Sequence, residues 1–188
     1  VAFKGLDRGR HLLLEKPVAG KADDVQKMMA LRGDRVVGCC SPRMFFTGHG
    51  QAAAACVASG VLGKIRMVRF RAILGAPAEP NPAPPPWRES MVQNGGGILV
   101  NWSCYDLDYV MSITGWQLKP TTVAAKWWPV APAMSAYVAP GSDADAHFIA
   151  MITCEDDIVL SMERAEFSSA RRDQAWQIIG TEGTLYMT

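Results

Sequence analysis

Between Asn94 and Trp116 the chain reads NGGGILVNWSCYDLDYVMSITGW, a triple glycine followed by apolar residues at helical spacing. Asn101, Tyr105 and Asp108 fall at i, i+4 and i+7, so one strip of the predicted helix carries three hydrogen-bonding side chains. Leu99, Val100, Leu107, Val110 and Met111 occupy the opposite positions and are expected to face a core. Upstream, His11-Leu12-Leu13-Leu14 is a short apolar run that stops at Glu15-Lys16-Pro17 and reads as a buried strand with charge at its end. Lys21 to Leu31 carries Val25, Met28 and Met29 on one side before Gly33, an amphipathic helix. Arg35 to Cys40 is a second apolar run, halted by Pro42. Strand, helix and strand at this length predict a βαβ unit with parallel pairing.

Further along, Thr47 to Ser59 predicts a helix closed by Gly60, and Lys64 to Leu74 an alternating strand. In that strand Val68, Phe70, Ala72 and Leu74 point one way, and Met67, Arg69, Arg71 and Ile73 the other. The six prolines between Gly75 and Gln93 make a loop, punctuated by Trp87-Arg88. After Gly115 the period changes to two. Strands are predicted over Leu118 to Pro129, Ala144 to Cys154, Ile158 to Phe167 and Ala175 to Ile179, with Glu155-Asp156-Asp157 as a hairpin turn. The expected fold is α/β: residues 1–42 as a parallel α/β piece, and residues 43–188 as helices backed by an open, mainly antiparallel sheet.

Composition narrows the classes. The chain has 188 residues, 49% hydrophobic and 20% charged, which suits a packed core. A net charge of +1 gives no electrostatic case for nucleic acid or an anionic membrane as partner. No run approaches the ~18 apolar residues of a membrane span, and no signal peptide opens the chain. The five cysteines form no CxxC pair, and His11, His49 and His147 have no ligand spacing. No metal site is expected, and the thiols read as reduced, buried groups of a cytoplasmic protein. The start at Val1 and the stop at Thr188, within a predicted strand, suggest a piece of a longer protein.

Several of these residues are candidates for chemistry. Lys16 sits at the carboxyl end of a strand in a parallel unit, where ligands of open α/β sheets bind. A solvated Glu15/Lys16 pair is the plain alternative. Gly96 and Gly97 let backbone N–H groups approach a ligand at a helix start, or form a loop-to-helix joint. Tyr105 can exchange a proton and Asn101 can hold a hydroxyl. Asp108 reads more simply as a polar seam. Arg43 can pair a carboxylate or act as a cap, and His147, alternating with apolar neighbours, reads as a core histidine.

Taken together, these stretches resemble the glucose–fructose oxidoreductase / inositol dehydrogenase family, often called Gfo/Idh/MocA. Gly9-Arg10-His11-Leu12-Leu13-Leu14-Glu15-Lys16-Pro17 is similar to that family's GKHVLxEKP signature. Pro42-Arg43 and the turn Ser59-Gly60-Val61-Leu62-Gly63-Lys64 follow in order. Then come Trp87-Arg88, the helix with Gly95-Gly96-Gly97, Asn101, Tyr105 and Asp108, and Gly180-Thr181-Glu182-Gly183-Thr184-Leu185. The resemblance implies an NAD(P)-dependent oxidoreductase acting on a sugar, cyclitol or related polyol, using NAD or NADP. Residues 1–42 would be the C-terminal remnant of a Rossmann domain, with the phosphate-binding GxGxxG turn expected upstream of Val1. Residues 43–188 would bind substrate and form homo-oligomers through the antiparallel sheet. By match, Lys16 and Tyr105 are catalytic; Asn101, Gly96, Gly97, Asp108 and Trp87 bind substrate; Glu15, Lys16, Pro17 and Arg43 bind cofactor. The inositol-dehydrogenase branch carries Asp and His where this chain has Asn101 and Tyr105, so an Asp/His relay is not available. Tyrosine at the second position serves as acid/base in the glucose–fructose oxidoreductase branch, which points to Tyr105 with Lys16 lowering its pKa. The departures also suit a non-catalytic relative that binds a sugar or a partner chain, or an assembly module built on the Arg69/Arg71 face.

Overall fold

The apolar run Leu12–Leu14 forms strand β1 and pairs in parallel with β2, Val37–Cys39, with Leu13 opposite Gly38. The computed structural model describes residues 1–187. Helices α1 (Ala2–Asp7) and α2 (Ala22–Leu31) flank this pair, α1 meeting Leu12 so closely that a Cβ on Gly5 would clash with its side chain. The two strands are not buried as expected: Leu13 is 77% exposed, and Val36, just before β2, 63%. Leu12 and Leu14 are half-buried and Leu13 points the other way, because strand side chains alternate and α1 covers only one face.

A 3-10 turn, Ser41–Arg43, leads to helix α3, Gly48–Ala58. Thr47 caps α3, its hydroxyl accepting from the Gly50 amide at 3.1 Å. Strand β3 (Ile65–Gly75), the short helix α4 (Met91–Asn94) and helix α5 (Ile98–Ile113) come next. The remaining strands are β4 (Pro120–Pro129), β5 (Asp145–Cys154), β6 (Val159–Ser168), β7 (Asp173–Gly180) and β8 (Thr184–Met187). A 3-10 segment, Pro132–Tyr137, lies between β4 and β5. Helix α5 begins at Ile98, directly after the three glycines as expected, and Gly95 adopts a left-handed conformation (φ 76°) that ends α4. At the Glu155-Asp156-Asp157 turn, Asp156 and Asp157 are both left-handed (φ 58° and 60°).

The six strands form one open sheet in the order β4-β5-β6-β3-β7-β8. All neighbours are antiparallel except β3 and β6, which run parallel. The fold is α/β with an open, mainly antiparallel sheet. The register stacks apolar positions on one face: Val68 lies opposite Leu160 and Ile178, and Phe70 opposite Met162 and Trp176. Val68, Phe70, Leu160, Met162 and Ile178 are buried there, with Val110 and Ile113 of α5 in the same cluster. Each such side chain contributes about 1.5–3 kcal/mol by leaving water. The other face carries Arg69, Arg71, His147, Glu163 and Met151. His147 is therefore not a core residue: its ring is half-exposed, 3.0 Å from Glu163 and beside Trp128. It alternates with Ala146 and Phe148, which take the buried positions.

The inward strip of α5 also departs from expectation. Ile98, Ser103, Tyr105, Asp106, Tyr109, Val110 and Ile113 are buried, while Leu99 is exposed. Asp106 can face inward because the guanidinium of Arg164, on β6, meets it at 2.7 Å.

Candidate functional site

Lys16 follows β1, Arg43 follows β2, and Asn101 and Tyr105 stand on the first two turns of α5; the fold brings all four together. The Lys16 ammonium donates to the Asn101 backbone carbonyl and, at 3.2 Å, to its Oδ1. It also lies 4.7 Å from the centroid of the Tyr105 ring. The Arg43 guanidinium lies 4.0 Å from the same ring and 5.6 Å from Trp102. Two cations thus attend one aromatic ring, a favourable cation–π arrangement.

Tyr105 is 7% exposed. Burial raises its phenol pKa above the usual value; the Arg43 cation opposes that rise, and Glu15 adds to it. The expected lowering by Lys16 is not what the structure gives: Lys16 packs on the ring face, and Arg43 is the charge that acts on the phenol. Tyr105 is consequently a neutral proton donor at pH 7. Burial likewise raises the neighbouring Cys104 thiol, partly offset by the Lys16 charge. Glu15 and Pro17 are exposed on either side of Lys16, joined through a cis Lys16-Pro17 bond.

The glycines play a different part from the one their sequence suggested. The Gly97 and Leu99 amides donate to Asp145 Oδ1 and Oδ2 at 2.7 and 2.8 Å. The start of α5 is therefore filled by a carboxylate of this chain, and a Cβ on Gly97 would fall 1.9 Å from the Asp145 carbonyl oxygen. Gly96 and Gly97 are buried and allow this close packing, so ligand approach to the helix start gives way to self-capping. Asp108 is half-buried, its hydrogen-bond partner is Ser112 at 3.5 Å, and burial raises its pKa. Trp87 stands exposed in the proline-rich loop, outside the contacts that join Lys16, Arg43, Asn101 and Tyr105.

A cavity of about 580 Å3 lies elsewhere, where that loop meets the end of β6. Lys16, Arg43, Asn101 and Tyr105 converge away from it, and convergent polar groups, more than volume, mark a candidate reacting site. Trp102, Asp106, Arg164 and Asp145 had no place in the sequence reading. Arg164 was findable: it follows Leu160 and Met162 at the inward period of β6.

The family model for the GFO/IDH/MocA C-terminal domain matches residues 51–186. An uncharacterized oxidoreductase of Synechocystis sp. is 26% identical over 117 residues, 61% of this chain and 31% of that protein. Among solved structures, GenD2 from gentamicin A biosynthesis, in complex with NAD, superposes with a TM-score of 0.79 at 18% identity. It covers 98% of this chain and 49% of its own. Levoglucosan dehydrogenase, in complex with NADH and levoglucosan, gives 0.78 at 24% identity, with 98% and 49% covered. An NAD binding oxidoreductase from Klebsiella pneumoniae gives 0.79 at 22%, with 98% and 49% covered. The chain spans about half the length of these structures, and at such identities the likeness is one of fold. Through the match over residues 51–186, the chain belongs to the GFO/IDH/MocA family.

Proposed function

We propose that this chain supplies the substrate side of an NAD(P)-dependent oxidoreductase acting on a hydroxyl-bearing carbon of a sugar, cyclitol or related polyol. Residues 1–42 then belong to a nucleotide-binding domain, and residues 43–188 bind substrate and assemble subunits through the open sheet face. Two neighbours in fold are complexes with NAD or NADH, and one of these also holds levoglucosan, which supports the reading. A cytoplasmic enzyme is in keeping with free cysteines at positions 39, 40, 56, 104 and 154.

The observation that carries the proposal is the Lys16 ammonium bound to Asn101 and packed on Tyr105. The donor set at the strand ends suits a nicotinamide: Lys16 and Arg43 supply N–H donors beside the tyrosine, with Glu15 and Pro17 exposed on either side of Lys16. The bound nicotinamide would give or take the hydride. Lys16 has three N–H donors, two of them used on Asn101, and the third remains for a substrate oxygen. The Asn101 amide nitrogen can hold a second hydroxyl. In reduction Tyr105, held neutral by burial, donates its proton to the carbonyl oxygen and the resulting phenolate is reprotonated from water; in oxidation the phenol first gives that proton to water, and the phenolate then takes the proton of the substrate hydroxyl.

Tyr105→Phe in the complete protein is expected to lower kcat by ~100-fold or more while cofactor affinity holds. The measurement is NAD or NADP turnover over a panel of polyols, and undiminished kcat would remove Tyr105 from the mechanism. Lys16→Met is expected to lower kcat and raise KM together.

A further inference from the structure

A second strip of α5 faces a cavity that the Lys16 cluster does not use. Trp102, Asp106 and Tyr109 recur at i, i+4 and i+7 and line a space of about 540 Å3. Arg164, Trp176 and Gln174 line it from β6 and β7. That volume lies within the range of small-molecule pockets, on the order of 300–1,000 Å3.

The polar end of this cavity is costly to maintain. Arg164 is 6% exposed and Asp106 2%. Arg164 Nη1 donates to Asp106 Oδ2 at 2.7 Å, and the guanidinium lies 5.0 Å from the Trp102 ring centroid. Its Nε is buried and has no hydrogen-bond partner among the described residues. A buried ion pair with donors to spare gains little for stability compared with apolar side chains of the same volume. Beside a cavity walled by Trp102, Tyr109 and Trp176, such a pair suits recognition. Its two charges cancel, so an anion gains nothing net from it, whereas hydroxyls can accept from the guanidinium and donate to the carboxylate. The aromatic walls suit the C–H surface of a saturated ring. Gln174, exposed at the rim, adds an amide next to Arg172.

We propose that this cavity is a second binding site, for a neutral, ring-shaped polyol such as a pyranoside, whose hydroxyls bond the Arg164–Asp106 pair while its apolar surface meets the aromatic walls. The assignment does not depend on hydride transfer at Lys16. It is tested by titrating the full chain with methyl β-glucopyranoside, methyl β-galactopyranoside and methyl α-mannopyranoside, following the indole N–H resonances of Trp102 and Trp176. A saturable shift is expected for at least one glycoside. Ala72→Leu, which fills the cavity from β3, is expected to weaken it by ~10-fold or more. Gln174→Ala, at the exposed rim, is expected to weaken it by ~3-fold or more, the scale of one hydrogen bond. Lys16→Met is expected to leave it unchanged. The proposal is overturned by the absence of any saturable shift, by full binding in Gln174→Ala and a folded Ala72→Leu, or by loss of the shift in Lys16→Met, which would put the ring at the other site. If Ala72→Leu fails to fold, Gln174→Ala decides.

Discussion

At Gly97 an added methyl group has nowhere to go. The Asp145 backbone stands 1.9 Å from where its carbon would be, and backbone cannot rotate away as a side chain can. Gly95, two residues earlier, has open space around it and only its left-handed φ of 76° to lose. Gly97→Ala should therefore destabilise the chain by about 3 kcal/mol or more, the upper range of overpacking, and Gly95→Ala by about 1 kcal/mol. Urea unfolding of both variants checks this ordering, and a reversed order would show that β5 yields to the helix. The triple glycine is a case where the residue type was legible in the sequence and its role was not. Glycine before a helix announces a close approach, but the partner, Asp145, lies on a strand far along the chain, and no local pattern names it.

At the level of elements, α5 and β6 are joined by a pair whose ionisation works against folding. Burial raises the Asp106 pKa from 3.8 to about 6, with Arg164 opposing the rise. The folded chain thus holds this proton more tightly than the unfolded chain does. The contribution is fully present below about pH 3.8 and is lost as pH climbs through about 6, a change on the order of a few kcal/mol. Asp106→Asn keeps an oxygen for Arg164 and removes the titration. Its melting temperature should gain on that of the parent as pH rises from 4 to 6.5, and parallel melting curves across that range would contradict the shift. Asp106 did not stand out in the sequence, since helical period placed Leu107 and Val110 in the core and passed over it. By contrast, the alternating strands after Gly115 were readable within a residue or two, because a sheet with one covered face imposes period two locally. The βαβ start was readable too, yet its burial was overestimated: three leucines in a row give no sign of which face is covered.

For the molecule as a whole, the uncovered sheet face is the surface on which the proposed assembly rests. Trp128, Ile149 and Met151 are exposed on it beside Arg69, Arg71, Glu163 and His147. Apolar groups set among charges in this way suit a subunit contact. Under the assembly proposed above, Ile149→Lys is expected to lower the mass found by light scattering toward that of a monomer without changing the far-ultraviolet spectrum. An unchanged oligomer would place the contact elsewhere. Assembly through this face would leave the Lys16 cluster and the Trp102 cavity free, since the latter opens on the covered side of the sheet.

The parallel β3–β6 pair at the centre of the sheet reaches beyond architecture. Met67 pairs with Val159 on one side and Ile179 on the other, so the central strand emerges from the ribosome long before either neighbour exists. Pairings between such distant segments form slowly. Until then Ile65–Gly75 is a β-prone apolar stretch exposed to other nascent chains. Arg66, Arg69 and Arg71 interrupt it with like charges, which repel a second copy laid alongside. Like charges at these positions oppose such pairing during the interval before β6 and β7 arrive.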